Sequence, residues 1–249
     1  MHPLNKALYQ LGVMMVKTRD RILIPLTFHR HYLAGLAALH KDSRGFRVFF
    51  EERYDLGQHP ESFIDQECAF ASMLIQRHHP ERILDVGSYR HFILGLLAHA
   101  PVTTLDVRAR SPVSPNETVI TCDAKRLTLA SATFDMVISL CSLEHFGLGR
   151  YGDELDLDAD REALAEMTRV LKPGGRLVFS TTLTGGPAQI VFNAHRIYDL
   201  ARIHAMCASL TLEGELFFSY SKGRPCSHKE LVRSPEAWDV YLGCWRKPA

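Results

Sequence analysis

An acid and a glycine close the apolar run Ile83-Leu84-Asp85-Val86-Gly87, and further acids, Asp106 and Asp123, follow two later apolar runs. In a doubly wound sheet, ligands sit beyond the carboxyl ends of the strands, so a strand-terminal acid followed by glycine lies at a binding site. Asp106 stands nineteen residues past Gly87, where a carboxylate can accept both hydroxyls of a ribose. The glycines that would let a backbone approach a pyrophosphate are missing: Ser88-Tyr89-Arg90-His91 follows Gly87, and the next glycine is Gly95. That argues against a dinucleotide and for a nucleoside cofactor without a pyrophosphate.

A second group of reactive types, Glu144-His145, follows the apolar run Phe134–Leu140, with Tyr151 and Asp153 on the glycine-rich stretch behind it. His145 is the first candidate for a general base, because imidazole titrates near neutrality. A helix cap or a backbone hydrogen bond explains it equally well. Glu144 would orient it or meet the amino end of a cofactor. Asp153 is either a second acid/base or the acceptor of a loop-folding Asx turn. His195 and Arg196 fall beyond a later strand, where Arg196 suits a carboxylate or phosphate on a substrate or a plain salt bridge.

These residues need strands to place them. The pattern predicts strands over 82–86, 102–106, 118–121, 134–140 and 176–182, with helices over 62–79, 92–99 and 161–171, the last stopped by Pro173-Gly174-Gly175. A helix over 194–207 and strands near 214–220 and 238–244 complete the set. The expected fold is α/β, Rossmann-like and doubly wound, a mostly parallel seven-stranded sheet. Two helical stripes, Leu4 to Met15 and Tyr32 to Leu39, predict a helical N-terminal extension over 1–61, ahead of a core domain over 62–249.

With those elements in order, residues 62 to 245 resemble the class I S-adenosylmethionine-dependent methyltransferases. The resemblance rests on Asp85-Val86-Gly87, on Asp106, on Thr121-Cys122-Asp123-Ala124 and on Leu171-Lys172-Pro173-Gly174-Gly175. Tyr89 and His91 stand where that family has its later glycines. A narrower resemblance, carried by the string from Ser142 to Asp153, by Asn193 to Tyr198 and by Leu242 to Trp245, is to an uncharacterised methyltransferase-like family often found in surface-glycan or secondary-metabolite gene sets. The resemblance implies S-adenosylmethionine as cofactor, with Asp85, Gly87, Ser88, Asp106, Asp123 and Ala124 as its contacts, and His145, Glu144 and Asp153 as catalytic candidates. It implies methyl transfer but does not supply the substrate; the acceptor expected here is a small-molecule or glycan hydroxyl. The alternative is an inactive binding or scaffold protein, if Tyr89 turns inward and fills the loop.

Composition excludes several other classes. The 249 residues are 46% hydrophobic and 23% charged, with 29 basic and 28 acidic side chains, which describes a globular chain with no strong preference for polyanions. Residues 1–50 are locally basic, with eight Lys or Arg against Asp20 and Asp42. The Asn-Pro-Pro-Tyr type signature of many amino-methylating nucleic-acid enzymes is absent, so no nucleic-acid partner is expected. Six dispersed cysteines without a CxxC pair read as reduced thiols in a cytoplasmic protein, and neither a signal peptide nor a transmembrane helix is expected. Metal sites are not expected either. The acidic series Asp153 to Asp160 puts Arg161 and Met167 where a calcium loop needs Gly and Glu, and the thirteen histidines form no HxxxH pair. Cys141 and Ser142 lack a nucleophile elbow, which argues against hydrolase chemistry.

Overall fold

A computed structural model describes residues 26–49 and 62–249, and the chain divides into two compact units between Pro60 and Glu61. In the first unit the stripe from Tyr32 to Leu39 lies in α1 (Leu26–Lys41). The stripe from Leu4 to Met15 lies outside the described residues. Among the described residues no helix is long and apolar enough to cross a membrane.

The second unit opens with α2 (Phe63–His78), started by a capping box in which the Ser62 N–H donates to Asp65 Oδ2 at 2.7 Å. It stops at His79, which turns left-handed and donates its N–H to the Ile75 carbonyl. Then come β1 (Ile83–Val86), α3 (Arg90–Leu96), β2 (Val102–Asp106), β3 (Glu117–Thr121), β4 (Phe134–Leu140), α4 (Ala159–Val170) and β5 (Leu171–Leu183). A short hairpin of β6 (Gln189–Val191) and β7 (His195–Ile197) precedes α5 (Leu200–Met206). The strands β8 (Thr211–Ser219), β9 (Arg224–Cys226) and β10 (Asp239–Arg246) finish the chain.

The main sheet has the order β3-β2-β1-β4-β5-β10-β8-β9. The first five strands are parallel, and β10 enters antiparallel between β5 and β8. β1 is buried along its whole length, as the apolar run of a central strand covered on both faces requires. Alternation sorts its side chains: Leu84 and Val86 join one core, and Ile83 joins the other with Phe70 and Leu74 of α2. The order reverses between β1 and β4, so the ends of these two strands flank the crevice of the sheet.

Three elements depart from the sequence reading. The sheet has eight strands rather than seven, because the three-residue β9 pairs with the edge of β8. No helix starts at Ala194: Asn193 adopts φ +60° and turns β6 into β7, and α5 begins only at Leu200, where the Asp199 carboxylate caps the Arg202 N–H at 2.7 Å. β5 starts at Leu171, pairs with Phe134, and resumes with Arg176 opposite Met136, so the Lys172–Gly175 turn bulges out of the strand.

One buried ionic group fastens the loop after β1 to the outer strands. The Glu117 carboxylate accepts from Arg90 (2.8 Å), from Arg110, from the Thr104 hydroxyl (3.0 Å) and from the Val113 N–H (3.1 Å). The Arg90 hydrogen bond outweighs burial and, with Arg110, holds this carboxyl well below the usual range. Glu117→Gln leaves two arginines without their counter-charge. The arginines keep side-chain exposures of 32% and 25%, so solvent screens part of the loss. A destabilisation on the order of 2 kcal/mol is expected, seen as a Tm drop of about 5 °C in a thermal melt.

Candidate functional site

The crevice is built by latching β1 to β4. The Ser142 hydroxyl donates to the Val86 carbonyl at 2.9 Å and accepts from the Ser139 hydroxyl at 2.6 Å, and the Leu140 N–H donates to Ser88 Oγ at 2.9 Å. Gly87 lies between these bonds with φ +72°, and a Cβ there would come within 3.1 Å of Ser142 Cβ. Its N–H donates to the Leu105 carbonyl at 3.1 Å, which ties in β2 as well. Asp85 is buried beneath the turn, and its carboxylate accepts the Ser88 N–H at 3.2 Å.

Tyr89 does not enter the crevice. Its hydroxyl donates to Glu67 Oε2 on α2 at 2.8 Å and its ring packs on the α2 side of the sheet, while His91 is exposed. The resulting cleft has a volume of about 300 Å³, at the lower end for small-molecule sites. Of the residues singled out in the sequence, Gly87, Asp106, Asp123, Ala124, His145 and Asp153 line it. Asp85, Ser88 and Glu144 do not; they support the wall from behind.

Asp106, at the end of β2, accepts three hydrogen bonds from Arg108: the backbone N–H at 2.9 Å, Nε at 2.9 Å and Nη2 at 2.8 Å. Burial pushes its carboxyl up, but the Arg108 contacts outweigh burial and hold it below the ordinary value. Arg108 also lies 5.0 Å over the Tyr151 ring, so these two side chains form one cation–π contact at the cleft. The sequence reading missed Arg108, Lys125 and Cys141. Lys125 bonds Asp156 at 2.6 Å and lies 3.6 Å from Asp123. An arginine two residues after a strand-terminal acid was the available signal for the first of them.

His145 closes a 3-10 turn, Leu143–His145. Its Nδ1 lies 2.6 Å from the Ala194 carbonyl; a carbonyl only accepts, so Nδ1 carries a proton and donates it. Nε2 is 3.9 Å from Glu144 Oε1. Glu144 is fully buried; its Oε2 accepts the Thr181 hydroxyl at 3.1 Å, and its Oε1 has no partner among the described residues. The backbone hydrogen bond expected as one explanation of His145 is thus present, at Nδ1. Behind it lies His195, its pKa lowered by burial and by His145.

Asp153 has the loop-folding geometry. Its Oδ2 accepts the Gly149 N–H at 3.2 Å and its Oδ1 the Tyr151 N–H at 3.0 Å; these backbone bonds outweigh burial and keep the carboxyl low. Arg196 is buried and donates to the carbonyls of Phe146, Asp156 and Leu157, so it clamps the 146–157 loop rather than facing the cleft. With Asp160 and Tyr198 it lines a separate, wider opening of about 740 Å³. That opening contains none of the strand-end acids.

Residues 116–227 match a family model described as "Caenorhabditis protein of unknown function, DUF268". Over 149 residues the chain is 28% identical to the malonyl-[acyl-carrier protein] O-methyltransferase of Methylococcus capsulatus (strain ATCC 33009 / NCIMB 11132 / Bath), covering 55% of this chain and 50% of that protein. The match thus spans about half the length of that curated relative. Among solved structures, the Burkholderia thailandensis 1,6-didemethyltoxoflavin-N1-methyltransferase, with 1,6-didemethyltoxoflavin and S-adenosylhomocysteine bound, superposes with a TM-score of 0.55 at 17% identity, over 91% of this chain and 92% of that one. The N-methyltransferase NodS of Bradyrhizobium japonicum WM9 gives 0.52 at 16% identity, over 74% and 96%. This chain has the class I methyltransferase fold. That fold also carries other chemistry, since the [4+2]-cyclase SpnF superposes with a TM-score of 0.56 at 16% identity, over 90% of this chain and 96% of that one. In this methyltransferase-fold chain the crevice beyond β1, β2 and β4 is lined by Asp106 and Asp123, two of the three strand-end acids that the sequence pointed to.

Two predictions follow from the packing of the site. Gly147 adopts φ +69°, and a Cβ there would lie 2.2 Å from the Asp156 carbonyl oxygen. Gly147→Ala should therefore open the 146–157 loop, visible as faster amide exchange over that segment. Burial pushes the carboxyls of Glu67 and Asp85 up to about 7 each. The folded chain then holds protons that the unfolded chain has lost, so this stability is present at acid pH and disappears as pH rises towards that value. Tm should fall between about pH 5 and about pH 8, and Glu67→Gln should show a smaller fall.

Proposed function

We propose that this chain is a cytoplasmic S-adenosylmethionine-dependent methyltransferase that acts on a hydroxyl of a small-molecule or glycan acceptor. The observation that carries the proposal is one cleft lined at once by the Gly87 turn, by Asp106 and Asp123, and by His145. The residues fit an adenosyl group. Asp106 offers a carboxylate to a ribose, and Leu105, Val107, Cys122 and Ala124 offer an apolar wall to a purine. The turn at Gly87 brings backbone close to the ligand without a pyrophosphate cradle.

When bound, the cofactor supplies an electrophilic methyl group. The chain's own residues do the rest. The β1–β4 latch fixes the line along which acceptor and donor meet, because in-line displacement gains most from alignment. His145 Nε2 takes the acceptor's proton, with its other nitrogen anchored to Ala194 so that the ring presents a lone pair. An acceptor that must lose a proton suits a base at this position, and the relative from Methylococcus capsulatus is named an O-methyltransferase. Glu144 Oε1, 3.9 Å from Nε2, lies on the side of the ring where that proton arrives. Asp153 serves by folding the loop. The competing assignment, a binding protein without catalysis, draws on Arg108, whose guanidinium already occupies Asp106.

Calorimetric titration separates the two. The wild type should bind S-adenosylhomocysteine, Asp106→Ala should weaken binding by about tenfold or more, and Arg108→Ala should not. Absence of binding at millimolar ligand sinks the enzyme assignment. Once an acceptor is found, His145→Gln should lower kcat by roughly 10²- to 10⁴-fold with cofactor affinity unchanged.

A further inference from the structure

At the end of β4, three side chains of different chemistry point at one spot. Cys141 Sγ, a carboxylate oxygen of Glu144 and a ring nitrogen of His145 lie within 4.8 Å of one another. We propose that Cys141, Glu144 and His145 form a site for one zinc-class divalent cation, with its remaining coordination position open to the cleft. The proposal goes beyond methyl transfer and does not depend on it.

Four observations support it. Glu144 is fully buried, and its Oε1, 3.9 Å from His145 Nε2, has no partner among the described residues. An ionised carboxylate out of water needs a counter-charge, and a cation between these two atoms supplies one. His145 is already arranged as a ligand: Nδ1–H donates to the Ala194 carbonyl, the same outer contact that orients metal-bound imidazoles and leaves Nε2 free. The Thr181 hydroxyl holds Glu144 Oε2 in a matching way. Finally, Cys141 takes φ +52° with its N–H held by Ser180 Oγ at 3.0 Å. A left-handed conformation costs a residue with a Cβ about 1 kcal/mol, and such strain gathers at functional sites.

The donor set selects the metal. Thiolate, imidazole and carboxylate suit zinc, whereas magnesium and calcium want oxygen ligands throughout. Tetrahedral zinc keeps its ligand atoms roughly 3.3–3.6 Å apart, so atoms that lie within 4.8 Å of one another need to close by about 1.5 Å at most. On binding, the metal–sulfur bond replaces the Cys141 S–H bond and the proton leaves to solvent. Arg150 Nη1 lies 3.5 Å from His145 Nε2 and must swing away, which its surface position permits. Asp153, the other acid of the loop, is not a ligand, because both its oxygens are bound to backbone N–H groups. A cation on Nε2 takes the lone pair that proton acceptance needs, so metal and base action exclude one another at that atom.

The test is titration of the chelator-treated full chain, without cofactor, by Zn²⁺ in a calorimeter and by Co²⁺ in a spectrophotometer. Wild type should take up one equivalent of either metal, and the cobalt form should show a thiolate-to-metal charge-transfer band. Cys141→Ser should lose the band, Glu144→Gln should keep it but weaken zinc binding by about tenfold or more, and Cys226→Ser should change neither. No stoichiometric uptake by wild type overturns the proposal, as does a band that survives in Cys141→Ser. Should Cys141→Ser not fold by circular dichroism, unchanged zinc affinity in Glu144→Gln overturns it. Cofactor binding with no metal uptake sinks the metal site alone, and metal uptake with no cofactor binding sinks the methyltransferase assignment alone.

Discussion

The divergence of β1 and β4 at the point where strand order reverses is the constraint on which the site depends. Parallel strands that feed connections to opposite sides leave a gap between their carboxyl ends. Here the gap is held to a fixed width by short hydroxyl contacts: Ser142 donates to the Val86 carbonyl, Ser139 to Ser142, and Ser88 receives the Leu140 N–H. All five residues sit within two residues of a strand end, so the crevice inherits the rigidity of the buried sheet. Gly87 is the one place in that seam where a side chain would meet Ser142.

The second wall has a different origin. The 146–157 loop buries Leu148 and is otherwise held by polar contacts from outside and within. Arg196 reaches in from β7 to three of its carbonyls, Lys125 pulls Asp156 towards β3, and Asp153 gathers the Gly149 and Tyr151 N–H groups. The acids and bases of the EHFGLGRYGD string thus divide their labour. Glu144 and His145 stand on the first turn beside β4, and the later residues fold the loop that encloses them. Arg196 and Asp160 form a buried pair at 3.5 Å, which fixes the clamp to the first turn of α4.

Most of the sheet was legible in the sequence because buried parallel strands write themselves as short apolar runs, as Ile83–Val86 and Phe134–Leu140 do. The helix expected from Ala194 was misread for a local reason. Apolar spacing there fits a helix, but Asn193 turns the chain and Tyr198 pairs with Leu183, a partner fifteen residues back that no window of sequence contains. The edge strand β9 is three residues long and two of them are exposed, so it has no periodicity to detect.

For the site, the sequence by itself determined which chemistry was available: an acid after each of the first three strands, a glycine turn without a pyrophosphate cradle, and an imidazole beside a carboxylate after the fourth. These are local facts, since a residue's type and its place at a strand end are set by a few neighbours. The tertiary structure decided the directions. Tyr89 turned to Glu67 because α2 brought it a buried acceptor; Arg108 turned back onto Asp106; Cys141 came within reach of Glu144 and His145. Each outcome depends on which partner, tens of residues away or on another face of the same turn, offers the better hydrogen bond or charge once water is excluded. That choice exists only after the sheet has closed.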